Sequence, residues 1–209
     1  MSTLSKITKN RIIAIMRGLP PEQVLEVAHA LYAGGIRVLE ITMNSEEPLA
    51  AIRKVTEALG ERMVVGAGTV LDTKMAEAAV AAGARFVLSP IVEKDVIQVT
   101  KNLGAVSIPG AYTPTEIYTA FKWGADLIKV FPATSPGYIR ELAGPLPQVP
   151  LLPTGGITPQ NINDYKDAGA VGFGIGSALV NTKQPITAQS LETITEKARQ
   201  FVAAIADRS

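Results

Sequence analysis

The chain has 209 residues, with 20 Lys plus Arg against 19 Asp plus Glu (net charge +1), and is 47% hydrophobic and 19% charged. This is the composition of a folded globular chain, and its charge balance gives neither nucleic acid nor an acidic membrane an electrostatic hold. With no Cys and one His, thiol catalysis and a Cys/His zinc site are excluded, so any chemistry falls to carboxylates, hydroxyls, amines, guanidinium groups and backbone amides.

The opening residues, before Arg11, carry no apolar signal core, which predicts a cytoplasmic protein. They read as a short N-terminal helix. Eight β-rich runs follow, at residues 11–17, 38–42, 63–69, 86–90, 105–109, 127–132, 151–154 and 171–175, with starts 19 to 27 residues apart. Each interval has room for a strand, a helix and two short loops, and such alternation implies parallel pairing.

Helix starts are marked by Pro20-Pro21-Glu22, Glu46-Glu47-Pro48, Thr113-Pro114-Thr115-Glu116 and Thr158-Pro159, all with proline in the first turn and the last with a cap hydroxyl before it. Helix ends are marked by Ala33-Gly34-Gly35, Ala82-Gly83, Trp123-Gly124 and Ala168-Gly169, expected left-handed terminators. His29 falls mid-helix and is expected on an ordinary helix face. The uncharged stretch 142–163 holds Pro145, Pro147, Pro150, Pro153 and Pro159, which forbids a spanning helix, so no membrane segment is expected. The last helix should run from about Ser190 to Ala206, with Leu191, Ile194, Ala198, Phe201, Val202 and Ile205 on one face. Together these elements predict an α/β fold, a single (β/α)8 TIM barrel over residues 1–209, with the leader helix closing one end.

Alternate residues of a barrel strand point inward, and functional groups collect at the C-terminal ends. That pattern aims Arg17, Glu40, Thr69, Lys129 and Thr154 at the barrel mouth. Lys129, flanked by Leu127, Ile128, Val130 and Phe131, is costly to bury charged. One reading is a structural ion pair with Glu40. The other is a nucleophilic amine: an ordinary lysine is only about 0.04% neutral at pH 7, and burial beside a cation such as Arg17 raises that fraction. Glu40, central in its strand, is the natural proton-transfer partner. Thr154-Gly155-Gly156 after the seventh run and Gly174-Ile175-Gly176-Ser177 after the eighth place backbone amides where barrels bind phosphate.

These motifs, from Ile13-Ala-Ile-Met-Arg17 and Leu39-Glu-Ile-Thr42 through Gly66-Ala-Gly-Thr-Val70, Leu88-Ser-Pro90, Ile108-Pro-Gly110 and Leu127-Ile-Lys-Val-Phe-Pro-Ala133 to Pro153-Thr-Gly-Gly-Ile157 and Gly174-Ile-Gly-Ser-Ala-Leu179, occur in order across residues 6–181. The chain thereby resembles the family of 2-keto-3-deoxy-6-phosphogluconate (KDPG) and 4-hydroxy-2-oxoglutarate (KHG) aldolases. The resemblance implies a class I aldolase barrel that needs no metal or cofactor, forms a homotrimer and acts on a keto-acid sugar phosphate. It gives Lys129 the Schiff base, Glu40 the acid and base, and Thr69 the pyruvate contact. It gives Arg17 the substrate carboxylate, makes Pro90, Pro109 and Phe131 pocket walls, and places phosphate at Gly155, Gly156, Gly176 and Ser177. Asn44 departs from the arginine common in gluconate-type members and looks closer to 2-keto-3-deoxy-6-phosphogalactonate aldolases, whereas Thr154 resembles the gluconate type. The expected reaction is cleavage of KDPG to pyruvate and glyceraldehyde 3-phosphate, with the galactonate epimer or KHG as alternative substrates. Two rivals of other classes are a sugar-phosphate isomerase or synthase, which needs no strand lysine, and a non-catalytic barrel scaffold, which needs neither Lys129 nor Glu40.

Overall fold

The computed structural model describes residues 1–182 and 184–206. Ser2 opens helix α1 (Thr3–Asn10) by accepting the Ser5 amide at 3.2 Å, and Arg11 ends it in a left-handed turn at φ 62°. Strand β1 (Ile12–Met16) leads to α2 (Pro21–Ala33), then β2 (Val38–Thr42), α3 (Pro48–Leu59), β3 (Val64–Gly68) and α4 (Thr73–Ala81). The alternation continues through β4 (Phe86–Leu88), α5 (Lys94–Asn102), β5 (Val106–Ile108), β6 (Gly110–Ala111) and α6 (Pro114–Lys122). It closes with β7 (Ile128–Val130), α7 (Pro136–Ala143), β8 (Leu151–Pro153), α8 (Ile162–Asp167), β9 (Phe173–Ile175) and α9 (Ala188–Ile205).

All strand pairs are parallel, as the alternation predicts. They form a curled six-stranded sheet in the order β5-β4-β3-β2-β1-β9 and a three-stranded sheet in the order β6-β7-β8. The fifth predicted run, 105–109, thus contains β5, and a further short strand, β6, begins just past its end. Pro109 separates them because it has no N–H to give to a ladder: Ile108 stays paired toward β4 while Gly110 pairs with Lys129 of β7. Single bridges, Leu151 to Ala170 and Thr154 to Gly174, link β8 to the chain around β9.

The side chains sort into two layers. Ile13, Val38, Val64, Phe86, Leu88, Val106, Ile108, Leu127 and Leu152 pack together on one face of the strands. Ile7 of α1 joins them beside the strand starts, so the leader helix covers the end opposite the strands' C-termini. The opposite faces, including Ala14, Leu39, Ile41, Val65, Ala67, Ile128 and Val130, pack on the helices. Burying each large apolar side chain contributes roughly 1.5–3 kcal/mol, so inward alternation is strongly enforced wherever the inner residue is apolar.

The helix punctuation reads as expected at most ends. Gly35, Gly83, Gly124 and Gly169 adopt φ between 96° and 108° after α2, α4, α6 and α8. Thr113 and Glu116 form a reciprocal capping box on α6. The Thr158-Pro159 start is corrected: α8 begins only at Ile162, with Asn161 at its cap. Asn161 is diverted to the preceding loop, where its Oδ1 accepts the Thr158 amide at 2.8 Å and its Nδ2 donates to the Gly156 carbonyl at 2.9 Å. On α9, Ile194, Ala198, Phe201 and Ile205 are buried, and Leu191 and Val202 pack against the core. His29 is exposed on α2. Among the described residues no helix is long and apolar enough to cross a membrane.

Candidate active site

A cavity of about 610 Å³ opens at the C-terminal ends of the strands, lined by Arg17, Thr69, Pro90, Lys129, Phe131 and Thr154 together with Gly155, Gly156, Gly176 and Ser177. Residues from six separate chain segments therefore converge on one volume.

Lys129 sits in the middle of β7 with 4% exposure. Its amide donates to the Pro109 carbonyl at 2.9 Å, and its Nζ lies 5.1 Å from the centroid of the Phe131 ring. Burial pushes the amine below the ordinary lysine value; the Glu40 charge opposes that fall and Arg17 adds to it. Desolvation prevails, so the free amine is more accessible than in a surface lysine.

Glu40 occupies the centre of β2, in register with Ile15 of β1 and Gly66 of β3. It is fully buried, does not line the cavity, and neither carboxylate oxygen has a hydrogen-bond partner. Burial raises its carboxyl above the usual range, against the pull of Lys129 and then Arg17. The glutamate and the lysine feel each other's charge, yet each is displaced toward its neutral form. A pair built only for stability is normally shielded by further hydrogen bonds.

Thr69 reaches the cavity by a different route from the one alternation suggests. Val65 and Ala67, four and two residues earlier, face the helices, so strict alternation would send Thr69 outward as well. A left-handed backbone at Thr69 (φ 57°) breaks the alternation and brings the residue to the cavity wall. Such a conformation is uncommon for a β-branched residue. Pro109 is also placed differently from the expected pocket wall. It is buried at the junction of β5 and β6 and serves the site through the carbonyl that receives the Lys129 amide.

The two glycine loops lie side by side. Gly155 and Gly156 both adopt left-handed backbone, at φ 95° and 68°. Gly176 begins a single helical turn whose carbonyl accepts the Leu179 and Val180 amides at 2.9 and 3.0 Å. The first amides of a helical turn have no partner within it, and Ser177 and Ala178 at that end line the cavity. Thr154, 5% exposed, has a hydroxyl with no hydrogen-bond partner. It fits because Gly174 opposite has no side chain: a Cβ there would overlap the Thr154 hydroxyl. This arrangement of amides and an uncommitted hydroxyl can hold a phosphate and an adjacent substrate oxygen.

Ser45 is a residue that sequence reasoning missed. Its Oγ accepts the Gly18 amide at 2.9 Å and shares a 2.9 Å hydrogen bond with Thr42 Oγ1, tying the Arg17 loop to the end of β2. A hydroxyl just past a strand is too common in loops to have singled it out. Asn44 beside it is exposed and does not line the cavity.

Comparison with known proteins gives the family of the chain. A family described as KDPG and KHG aldolase matches residues 4–197. The 2-dehydro-3-deoxy-6-phosphogalactonate aldolase of Escherichia coli strain K12 is 34% identical over 200 residues, spanning 94% of this chain and 95% of that protein. The KHG/KDPG aldolase of the same strain is 33% identical over 204 residues, spanning 96% and 95%. A crystal structure of KDPG aldolase from Legionella pneumophila, holding pyruvate as a covalent carbinolamine, superposes with a TM-score of 0.84 at 28% identity, over 95% of this chain and 97% of that one. The strand lysine, the buried glutamate and the paired glycine loops thus sit in a chain that belongs to the KDPG and KHG aldolase family, enzymes that break a carbon–carbon bond.

Proposed function

We propose that the protein is a metal-independent class I aldolase that cleaves 2-keto-3-deoxy-6-phosphogluconate to pyruvate and glyceraldehyde 3-phosphate. The observation that carries this reading is Lys129: an amine in an apolar strand, lowered by burial, opening onto the cavity. Its Nζ attacks the C2 ketone, and loss of water leaves a protonated imine. Glu40, acting through a water, takes the C4 hydroxyl proton as the C3–C4 bond breaks. The bonding electrons enter the imine to give an enamine, and glyceraldehyde 3-phosphate departs. Glu40 returns the proton to C3, and water hydrolyses the imine to release pyruvate. Arg17 binds the substrate carboxylate, Thr69 contacts the pyruvyl end between the walls formed by Pro90 and Phe131, and the amides at Gly155, Gly156, Gly176 and Ser177 bind phosphate.

The scaffold we infer is one closed (β/α)8 ring in which β5 and β6 are a single strand bent at Pro109. The bridges from β8 toward β9 support closure on the other side. A homotrimer in the cytoplasm completes the reading. Exposed Leu71, Ile91 and Tyr112 follow three successive strand segments and offer an apolar face to a second copy.

Borohydride reduction in the presence of pyruvate tests the central claim. It should add one reduced three-carbon unit to Lys129; an adduct confined to another lysine would overturn it. Activity should also survive exhaustive chelation, since a chain with one His and no Cys has few soft metal ligands. An activity lost to EDTA and restored by a divalent ion would count against the mechanism.

The gluconate preference rests on Thr154. Imine and phosphate fix both ends of the substrate, so the C4 hydroxyl has little freedom of direction, and the Thr154 hydroxyl is uncommitted. A hydrogen bond made with one epimer and unmade with the other is worth roughly 1–3 kcal/mol, or about 5- to 150-fold. Thr154→Val should shift the kcat/KM ratio of the two epimers toward the galactonate form. An unchanged ratio would remove Thr154 from specificity, and a parent enzyme that prefers the galactonate epimer would reverse the substrate assignment.

A further inference from the structure

Strand β3 reads Val64-Val-Gly-Ala-Gly68, and its two glycines fall on the inner face. Glycine weakens a strand interior, so two in five residues call for a close approach by something else. Both have one. A Cβ on Gly66 would overlap the Phe86 ring, and a Cβ on Gly68 would overlap Oε1 and Cδ of Glu40 and lie 2.7 Å from its Cγ. Gly68 does not owe its identity to backbone conformation, because its φ lies outside the left-handed region. Only the space is needed.

The register shows what that space does. Glu40 is paired with Gly66, whereas Gly68 is paired with Thr42. The carboxylate therefore leans along β3 by two residues, toward the end where the cavity opens. No hydrogen bond fixes it there. Packing, rather than a hydrogen bond, sets where the group rests, with Gly68 as the floor beneath it.

We propose that Gly68 is a positioning residue: its bare Cα sets how far along β3 the Glu40 carboxylate extends, and so where the enzyme exchanges its proton with the substrate. This rests on the reading of Glu40 as the acid and base. Reacting groups displaced by about 1 Å can cost on the order of 100-fold in rate. Gly68→Ala is accordingly expected to lower kcat by about that factor with KM within threefold, while borohydride with pyruvate still labels Lys129.

Thermal unfolding supplies the second readout. Gly68→Ala should lower Tm on its own and leave Tm unchanged in a Glu40→Ala background, where the new methyl group enters the vacated space. A kcat within threefold of the parent, or the same fall in Tm in both backgrounds, would each overturn the proposal. Should Gly68→Ala alone fail to fold, the double variant decides: folding with the Tm of Glu40→Ala upholds the proposal, and failure to fold overturns it. The parent enzyme provides the control on the underlying reading. An unlabelled Lys129 there, or full turnover by Glu40→Ala, removes the mechanism, whereas the Tm coupling reports on the space by itself.

Discussion

Lys129→Arg is expected to abolish cleavage and to leave no borohydride adduct with pyruvate, while the protein stays folded. Arginine preserves the positive charge beside Glu40 but stays protonated at any working pH, so it cannot attack a ketone. The parent lysine is expected to do so, because burial carries its amine below the ordinary value, with Glu40 resisting and Arg17 assisting. Each unit of that fall multiplies the neutral fraction about tenfold at neutral pH. Imine formation should therefore persist to lower pH than a solvent-exposed lysine would allow. Stability carries the same signature. Between the lowered value and the ordinary one, the unfolded chain binds a proton at this lysine that the folded chain has shed, so stability rises with pH across that window. The arginine variant should lack the rise. Turnover above the uncatalysed rate by Lys129→Arg, or a pH–stability curve identical to the parent, would contradict the assignment.

Glu40→Gln is expected to lower kcat by roughly 10²- to 10⁴-fold, the usual worth of a positioned acid–base group, without preventing labelling of Lys129. Glutamine keeps the shape that Gly68 accommodates and loses only the ability to accept and return a proton. In the parent, burial raises the carboxyl, and the charges of Lys129 and Arg17 limit the rise. C–C cleavage needs the ionised form, so the rate should fall on the acid side through a value above the ordinary carboxylate range. That limb should vanish in the glutamine variant. A glutamine enzyme with parental kcat, or one retaining the same acid limb, would show that another group moves the proton.

The strand and helix rhythm was legible because the β-rich runs are short and mostly apolar, and most are closed by a glycine or proline signal. Lys129 and Glu40 stood out for a simple physical reason: ionisable side chains are rare in the centre of buried strands. What stayed hidden depends on contacts distant in sequence. Pro109 was readable as a strand end, but that its two sides pair into different sheets depends on which neighbours are near. Thr69 was expected at the mouth through an alternation that does not hold there. The expectation and the structure agree only because of a backbone reversal that Gly68-Thr69-Val70 does not advertise. The glycines of β3 were legible as part of a family motif. Their physical meaning, room for Phe86 and for the Glu40 carboxylate, needed the neighbouring strands.

The junction at Pro109 has a mechanical side. Lys129 belongs to the three-stranded sheet, whereas Glu40 lies in the six-stranded one and Arg17 directly follows its β1. The glycine loops divide in the same way, Gly155-Gly156 following β8 and Gly176-Ser177 following β9. A molecule bonded to the lysine and gripped at its carboxylate and phosphate would act as a cross-brace between two arcs. These are joined by the chain at Pro109, by the Asp126 and Leu127 amides donating to the Ser107 carbonyl, and by the bridges from β8 toward β9. Shear between the arcs would change the separation of amine and carboxylate directly, so on the proposed mechanism the occupied enzyme is expected to hold its reacting groups in tighter alignment than the empty one.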